Sequence, residues 1–388
     1  MNKEKHIPQG YKDSPLGIIP KEWEVKRLGD LCIDIYSGKN KVRVESGTYP
    51  VYGSTGIIGK TDEYKYDGDR ILVARVGAHA GQVSSASGKY DVSDNTIIVE
   101  NKEHYSQYFA YQQLIAANLN KLVFGSGQPL ITAGMLKRMY VICPPPVEQE
   151  KINAVLKLWD TAIEKQSKLI EKLKLRKRAL MQQLLTGKKR LSGFNGEWKK
   201  VKLGSIAEIV GGGTPNTNIS HYWNGGIPWF TPTEIGKTKY VSESKKTISA
   251  HGQNNSSAKI LPKGTILFTS RATIGAKAIL TVEATTNQGF QSLIVHNNNN
   301  NEFIYYYLDI ILTNIKQKAS GSTFTEISAE SMRRTEIIIP PKEEQNAIVS
   351  IFVNADKEIE LANEKLASLQ SQKRGLMQQL LTGKKRFV

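Results

Sequence analysis

The chain has 388 residues, 39% of them apolar and 8% aromatic, which is enough to bury cores in two or three domains and excludes an intrinsically disordered chain. Lys and Arg number 53 against 36 Asp and Glu, a formal net charge of +17 with an isoelectric point near 9.5, and so basic a surface attracts polyanions, nucleic acid first. Two distant cysteines, Cys32 and Cys143, and six histidines exclude a disulfide framework and a metal site of Cys/His spacing; the pair fits buried positions in a reducing cytosol.

The first residues, "MNKEKHIPQGYKDSPLG", contain no apolar run, so a signal peptide is not expected. No stretch of about 18 apolar residues occurs, so no membrane span is expected and the protein is expected in the cytoplasm. After "EWEVKRLGDLCIDI" from Glu22 come strand-like runs at 70–77, 95–100 and 139–145, with a helix expected at 105–119. A long helix then follows a run of prolines, tolerated at a first turn because the missing N–H would be unpaired anyway. It ends at "LLTG", where Gly187 is placed as a C-terminal cap. The second half opens on "EWKKVKLGSIAEIV" from Glu197 and offers strands at 264–271, 290–296 and 336–341 and a helix at 302–316. A second long helix closes on Gly383. The loops between are rich in Gly, Thr, Ser and Asn, as in "YGSTGIIGKTDEY" (52–64) and "VGGGTPNTN" (210–218); "HNNNNNE" (296–302) reads as a surface loop.

The two halves are copies. "LMQQLLTGKKR" occurs at 180–190 and again at 376–386, and a shift of 196 aligns 144–190 with 340–386 without a gap, about half of the positions being identical. Within the long helices the spacing keeps a 4,3,4,3 rhythm. In the first copy it runs through Ile152, Leu156, Trp159, Ile163, Gln166, Ile170, Leu173, Lys177, Leu180 and Leu184. In the second it runs through Ile348, Phe352, Ala355, Ile359, Ala362, Leu366, Leu369, Lys373, Leu376 and Leu380. A 3.5-residue period held over about five heptads is the mark of a coiled-coil seam, and 39 residues at 1.5 Å each make a rod of roughly 58 Å. The expected fold is α+β: globular domains at 1–143 and 188–339, with helices at 144–187 and 340–388 that pair as an antiparallel two-helix coiled coil with an internal pseudo-twofold repeat.

Motifs for catalysis are weak. "GSTGIIGKT" (53–61) nearly spells a phosphate-binding loop, but Ser54 stands where the motif needs glycine, and turn and strand residues follow where it needs a helix. Asp94, Glu100 and Lys102 are spaced like a metal-dependent nuclease triad, the alternative reading, with no second acidic cluster to support it. "GSG" at 125 and "GGG" at 211 lack the third glycine of a dinucleotide or S-adenosylmethionine loop, and no aminomethylation motif or nucleophile–base arrangement stands out. The chain is therefore expected to carry no catalytic site and no metal.

The phrases "YKDSPLGIIPKEWEVKRLGDL", "PPVEQEKI", "RKRALMQQLLTGKKR", "GGGTPNTNISHYWNGGIPWFTPTEI" and "GTILFTSRATIGAKAI", together with the two-copy layout, cover essentially the whole chain. They resemble the DNA-specificity subunit of type I restriction-modification systems. The resemblance implies two target-recognition domains, each reading one half of a split, asymmetric DNA target. It implies a coiled coil that holds them apart and docks two methyltransferase subunits, through which the restriction and motor subunits join. It also implies that S-adenosylmethionine, ATP and Mg are bound by those partners, none by this chain, and that the assembled complex methylates adenine N6 and cuts DNA with ATP.

Base edges and phosphates require basic and small polar side chains on loops. On that ground the DNA contacts expected in the first domain are Lys39, Lys41, Arg43, Ser54, Thr55, Lys60, Arg75 and His79. In the second they are Thr214, Asn216, Thr217, Thr231, Thr233, Lys237, Arg271, Asn287 and Gln288. Arg75 and Arg271 stand out because each follows an apolar strand and precedes a glycine-containing loop, although the glycines fall at different distances, so the two loops are not expected to superimpose. Tyr222, Trp223 and Trp229 read as packing residues. In the repeated stretch, Met181, Gln182, Gln183, Met377, Gln378 and Gln379 lie off the seam yet are identical in both copies, which fits a docking face presented twice, or a shared turn into the next domain.

Overall fold

The computed structural model describes residues 7–41, 44, 46–124, 129–271, 273–317 and 326–386, so Arg43 lies outside the described residues. The four longest helices among the described residues are α1 (Gln107–Ala117), α2 (Pro146–Leu184), α3 (Asn301–Gln317) and α4 (Lys342–Leu380). The chain divides into two compact units. The first is Met1–Ser167 with Glu364–Val388, and the second is Lys168–Asn363. Each unit thus contains one globular domain and a part of both long helices.

In the first unit the central sheet has the strand order Cys32–Ser37, Thr96–Asn101, Arg70–Ala74, Val83–Ala86, every pair antiparallel. Ile71, Val73, Ile97 and Val99 turn one face inward, and α1 covers it with Phe109, Ala110 and Leu114. The Ser106 side chain caps α1 by accepting from the Phe109 amide, and Asn118, at φ 52°, ends it in the left-handed conformation. A second sheet runs Gly56–Thr61, Tyr49–Gly53, Lys89–Val92, Tyr66–Asp67. The near phosphate-binding sequence is therefore a β-hairpin with no helix after its lysine.

The second unit repeats the plan. Its larger sheet has the order Ala207–Gly211, Gln291–Val295, Ile266–Phe268, Lys277–Leu280, Tyr240–Val241, covered by α3. Its smaller sheet pairs Lys246–Ile248, Trp223–Phe230 and Thr285–Thr286. In each unit a two-stranded ribbon leads into the long helix: Glu24–Arg27 with Tyr140–Cys143, and Lys199–Lys202 with Glu336–Ile339.

Every expected seam position of both long helices is buried or half-buried, while most positions between them are exposed. The helices run antiparallel within each unit. In the first, Lys373 Nζ lies 2.6 Å from Asp160 Oδ1, and Arg386 beyond α4 reaches Glu148 at the start of α2. In the second, Lys177 pairs with Asp356 and Arg190 reaches Glu344. The seam lysines that interrupt the apolar pattern are thus paired with a carboxylate of the opposite helix. A tyrosine of the domain helix joins each pair: Tyr108 hydrogen-bonds Asp160, and Tyr306 donates to Asp356 Oδ2 at 2.5 Å. Burial, then the neighbouring carboxylate, push both phenols well above the ordinary tyrosine value. Gln149 and Gln345, both buried, fasten the domains in the same way. Gln149 Oε1 accepts from the Ser106 amide and Gln345 Oε1 from the Asn300 amide, each at 2.8 Å.

The repeated eleven residues take a place the sequence did not disclose. Met377, Leu380 and Leu381 belong to the core of the first unit, and Met181, Leu184 and Leu185 to that of the second. Each buried leucine of this kind contributes roughly 1.5–3 kcal/mol. The placement of Met181 and Met377 on a docking face is therefore corrected: both methionines are buried, because the last turn of each helix closes a domain core. Gln182, Gln183, Gln378 and Gln379 remain exposed. Among the described residues no helix is long and apolar enough to cross a membrane.

Candidate nucleic-acid interface

The antiparallel order places one set of strand ends together in each domain. In the first domain Ser37 and Ala74 end their strands beside Ile97 and Thr96, which begin theirs. Tyr52 of the second sheet reaches the same rim, its carbonyl accepting from the Ser93 amide at 2.9 Å. The loops that leave this rim carry Lys39, Lys41, Ser54, Thr55, Arg75 and His79. Lys39, Lys41, Thr55 and His79 are exposed, and Ser54 and Arg75 half-buried. Lys60 sits lower on the hairpin, opposite Pro50 and beside Val44, and does not join them.

The rim is rigid. Gly38 approaches the opposing loop so closely that a Cβ would lie 2.3 Å from the Val92 carbonyl oxygen and 2.4 Å from that of Ser93. The Arg75 amide donates to the Asn95 carbonyl at 2.9 Å, its carbonyl accepts from the Ile131 amide at 2.9 Å, and its Nη1 lies 3.3 Å from the Asp94 carbonyl oxygen. The arginine is aimed by main-chain contacts, and among the described residues no other partner takes its remaining guanidinium donors.

In the second domain the same rim holds Thr214, Thr231, Thr233, Arg271, Asn287 and Gln288. Gly212 repeats the close approach, since a Cβ there would lie 2.0 Å from the Asn287 carbonyl oxygen. Thr214 Oγ1 donates to Gln288 Oε1 at 2.7 Å. Several of the expected readers also hold their own loops. Thr231 forms a capping box with Glu234, Asn287 Oδ1 accepts from the Gly289 amide at 2.8 Å, and Asn216 Oδ1 accepts from the Asn218 amide at 3.0 Å. Thr217 is exposed beside Trp223 and Lys246. Lys237 lies apart, lining a recess with Tyr240, Tyr306 and Lys357. Trp229 is buried and Trp223 packs edge-on against it, 5.1 Å between ring centres, as expected of packing residues.

Arg75 and Arg271 are not equivalent, although 196 residues separate them. The residue whose amide and carbonyl repeat the Arg75 bonds is Ser270, donating to the Gly289 carbonyl and accepting from the Ile327 amide, each at 2.9 Å. Arg271 instead forms a bridge with Glu326, as Val76 does with Leu130. The loops are one residue out of step, in line with the unequal glycine spacing. Sequence reading missed Glu326, which comes to the second rim from 55 positions away, and Asn40, whose Nδ2 donates to Asp91 at 2.6 Å. No local pattern signals either.

The alternative nuclease triad is not assembled. Asp94 precedes the strand Thr96–Asn101 and Glu100 stands near its far end, about 20 Å along the strand. Glu100 pairs with Arg70 at 2.8 Å, and Lys102 Nζ is bound to the Asp30 carbonyl. Among the described residues no three His, Cys, Asp or Glu side chains form a group that could hold a metal ion.

A family model described as the type I restriction modification DNA specificity domain matches residues 20–175 and 195–371. The chain is 25% identical over 421 aligned residues to a putative MjaX specificity subunit of Methanocaldococcus jannaschii, covering 97% of this chain and 96% of that one. It is 38% identical over 168 residues to the MjaIX type I restriction enzyme specificity subunit of the same organism, covering 42% of this chain and 39% of that one, so this match spans about two fifths of the relative's length. Two solved structures share the fold at 18% identity. One is a type I restriction-modification S subunit from M. genitalium, with a TM-score of 0.58 and 92% and 96% of the two chains covered. The other comes from work on complex assembly and conformational transition of the type I R-M system, with a TM-score of 0.63 and 95% and 99% covered.

Proposed function

Because the chain belongs to the family of type I restriction-modification DNA specificity proteins, we propose that it reads a split DNA target, one half-site at each rim, and holds the catalytic partners of the complex on its paired helices. As a specificity subunit it is the recognition component and not the catalytic one. The observation that carries the reading is the repetition of one frame around two unlike rims. Gly38 and Gly212 make the same close approach, while the polar side chains around them differ. Equal frames suit identical partners, and unequal rims suit unequal half-sites.

Two methyltransferase subunits are the proposed occupants of the helices, the restriction subunits joining through them. S-adenosylmethionine, ATP and Mg are assigned to those partners. Mapping methylated adenines across the genome of cells that carry this chain tests the proposal. Two different short half-sites separated by unspecified bases are expected. A single continuous palindrome overturns it.

A further inference from the structure

Ile57 is 62% exposed, although it lies in a hydrogen-bonded hairpin beside a rim of basic and hydroxyl side chains. Its presentation is built in. Gly53 has no side chain, and Ile58 folds over the vacant place, its Cδ1 2.6 Å from where a Cβ would be. The hairpin is bulged there: Val51 pairs with Gly59 and Tyr52 with Ile57, so Ile58 is the extra residue, and with Ile58 taken up against Gly53 its neighbour Ile57 is left exposed. Gly56, at φ +97°, makes the turn that brings Thr55 and Ile57 to the tip. Ile57 stands opposite Tyr52, whose carbonyl is bound to the Ser93 amide at the rim. A β-branched side chain on such a hairpin has little rotamer freedom to lose on contact.

Resting on the reading that this rim binds duplex DNA, we propose that Ile57 is a specificity-determining residue that packs against the 5-methyl group of a thymine in the half-site read by the first domain. An isoleucine can neither donate to a base nor neutralise a phosphate. On the base edges of the major groove the apolar feature is the thymine methyl. A protein partner is a poorer fit, because Ile57 lies next to the hairpin tip at Thr55 and shares its rim with the exposed Lys39 and Lys41.

The test replaces, one at a time, each thymine of the mapped first half-site by deoxyuridine, which lacks only the methyl. Binding of the full chain, in the complex that co-purifies with it, is measured for the native protein and for Ile57→Ala. Loss of one methyl contact is expected to weaken native binding about four-fold at one position. The same substitution should leave Ile57→Ala unaffected, and the second half-site serves as the internal control. The inference is overturned if the half-site contains no thymine, if every deoxyuridine is tolerated, or if both proteins lose equally. It is also overturned if Ile57→Ala abolishes a DNA bend and leaves methyl sensitivity intact, which would make the residue a wedge. Absence of any preference for the half-site in the native complex would instead defeat the underlying DNA-reading proposal, so the two failures are distinct.

Discussion

Arg386 and Glu148, 238 residues apart, form a two-pronged ion pair, Nε to Oε1 at 2.9 Å and Nη2 to Oε2 at 3.1 Å, and Glu148 Oε2 also accepts from Trp23 Nε1 at 2.7 Å. Arg190, Glu344 and Trp198 repeat the arrangement in the second unit. Each arginine is the last residue of "LMQQLLTGKKR", so the repeated words end in a clamp on the carboxylate that opens the opposite helix. The Glu148 side chain is 8% exposed and would be left buried without its counter-charge.

Arg386→Ala should therefore destabilise the first unit by about 3 kcal/mol, because truncation strands a buried carboxylate. Arg386→Lys should recover only part, since an ammonium cannot match both oxygens. Arg190→Ala should act in the same direction on the second unit. Hydrogen exchange resolved by segment checks this: protection should fall in Ile71, Val99 and Phe109 for the first variant and in Phe268, Leu293 and Phe303 for the second.

Alkaline stability should depend on Tyr108 and Tyr306. Their folded pKa values are raised, by burial first and then by Asp160 and Asp356. The unfolded value is near 10. A raised folded value means that the stability is fully present below about 10 and is lost as pH rises from there toward the folded values. Denaturation midpoints followed from pH 8 upward should fall above about 10, and Tyr108→Phe with Tyr306→Phe should flatten the slope. An unchanged slope would mean that these phenols do not set the alkaline limit.

The two rim arginines should separate the half-sites. Arg75→Ala should weaken discrimination at the first and Arg271→Ala at the second, by about 1–3 kcal/mol each if each reads a base edge. Competition binding with single-base variants of each half-site reads this out. Equal losses on every sequence would place both side chains on phosphates.

The exposed glutamines of the repeated stretch should matter to partners and not to folding. Gln182→Glu with Gln378→Glu should lower the number of methyltransferase subunits retained, seen by native mass spectrometry, with denaturation midpoints unchanged. Two subunits held at normal affinity would put the docking face elsewhere.

The seam was legible because a helix reports its buried stripe locally. Ile152, Leu156, Ile348 and Phe352 recur at 3.5-residue spacing and are all buried. Strands at Thr96–Asn101 and Gln291–Val295 were legible as apolar runs between turn residues. That Arg75 and Arg271 are not equivalent was less legible, because a one-residue shift in a loop leaves the apolar spacing untouched while it changes which residue makes the main-chain bonds at the rim.

The sequence by itself determined the duplication, the α+β class, the helix ends at Gly187 and Gly383 and the basic, hydroxyl-rich loops, since each follows from local period, backbone preference or charge. Tertiary structure alone decided that Met181 and Met377 are core residues, that Arg386 completes the domain begun by Glu22, and that Glu326 comes to the rim beside Ser270 and Arg271. Those partners are distant in the chain, and nothing in the spacing of one segment records which remote surface will bury it.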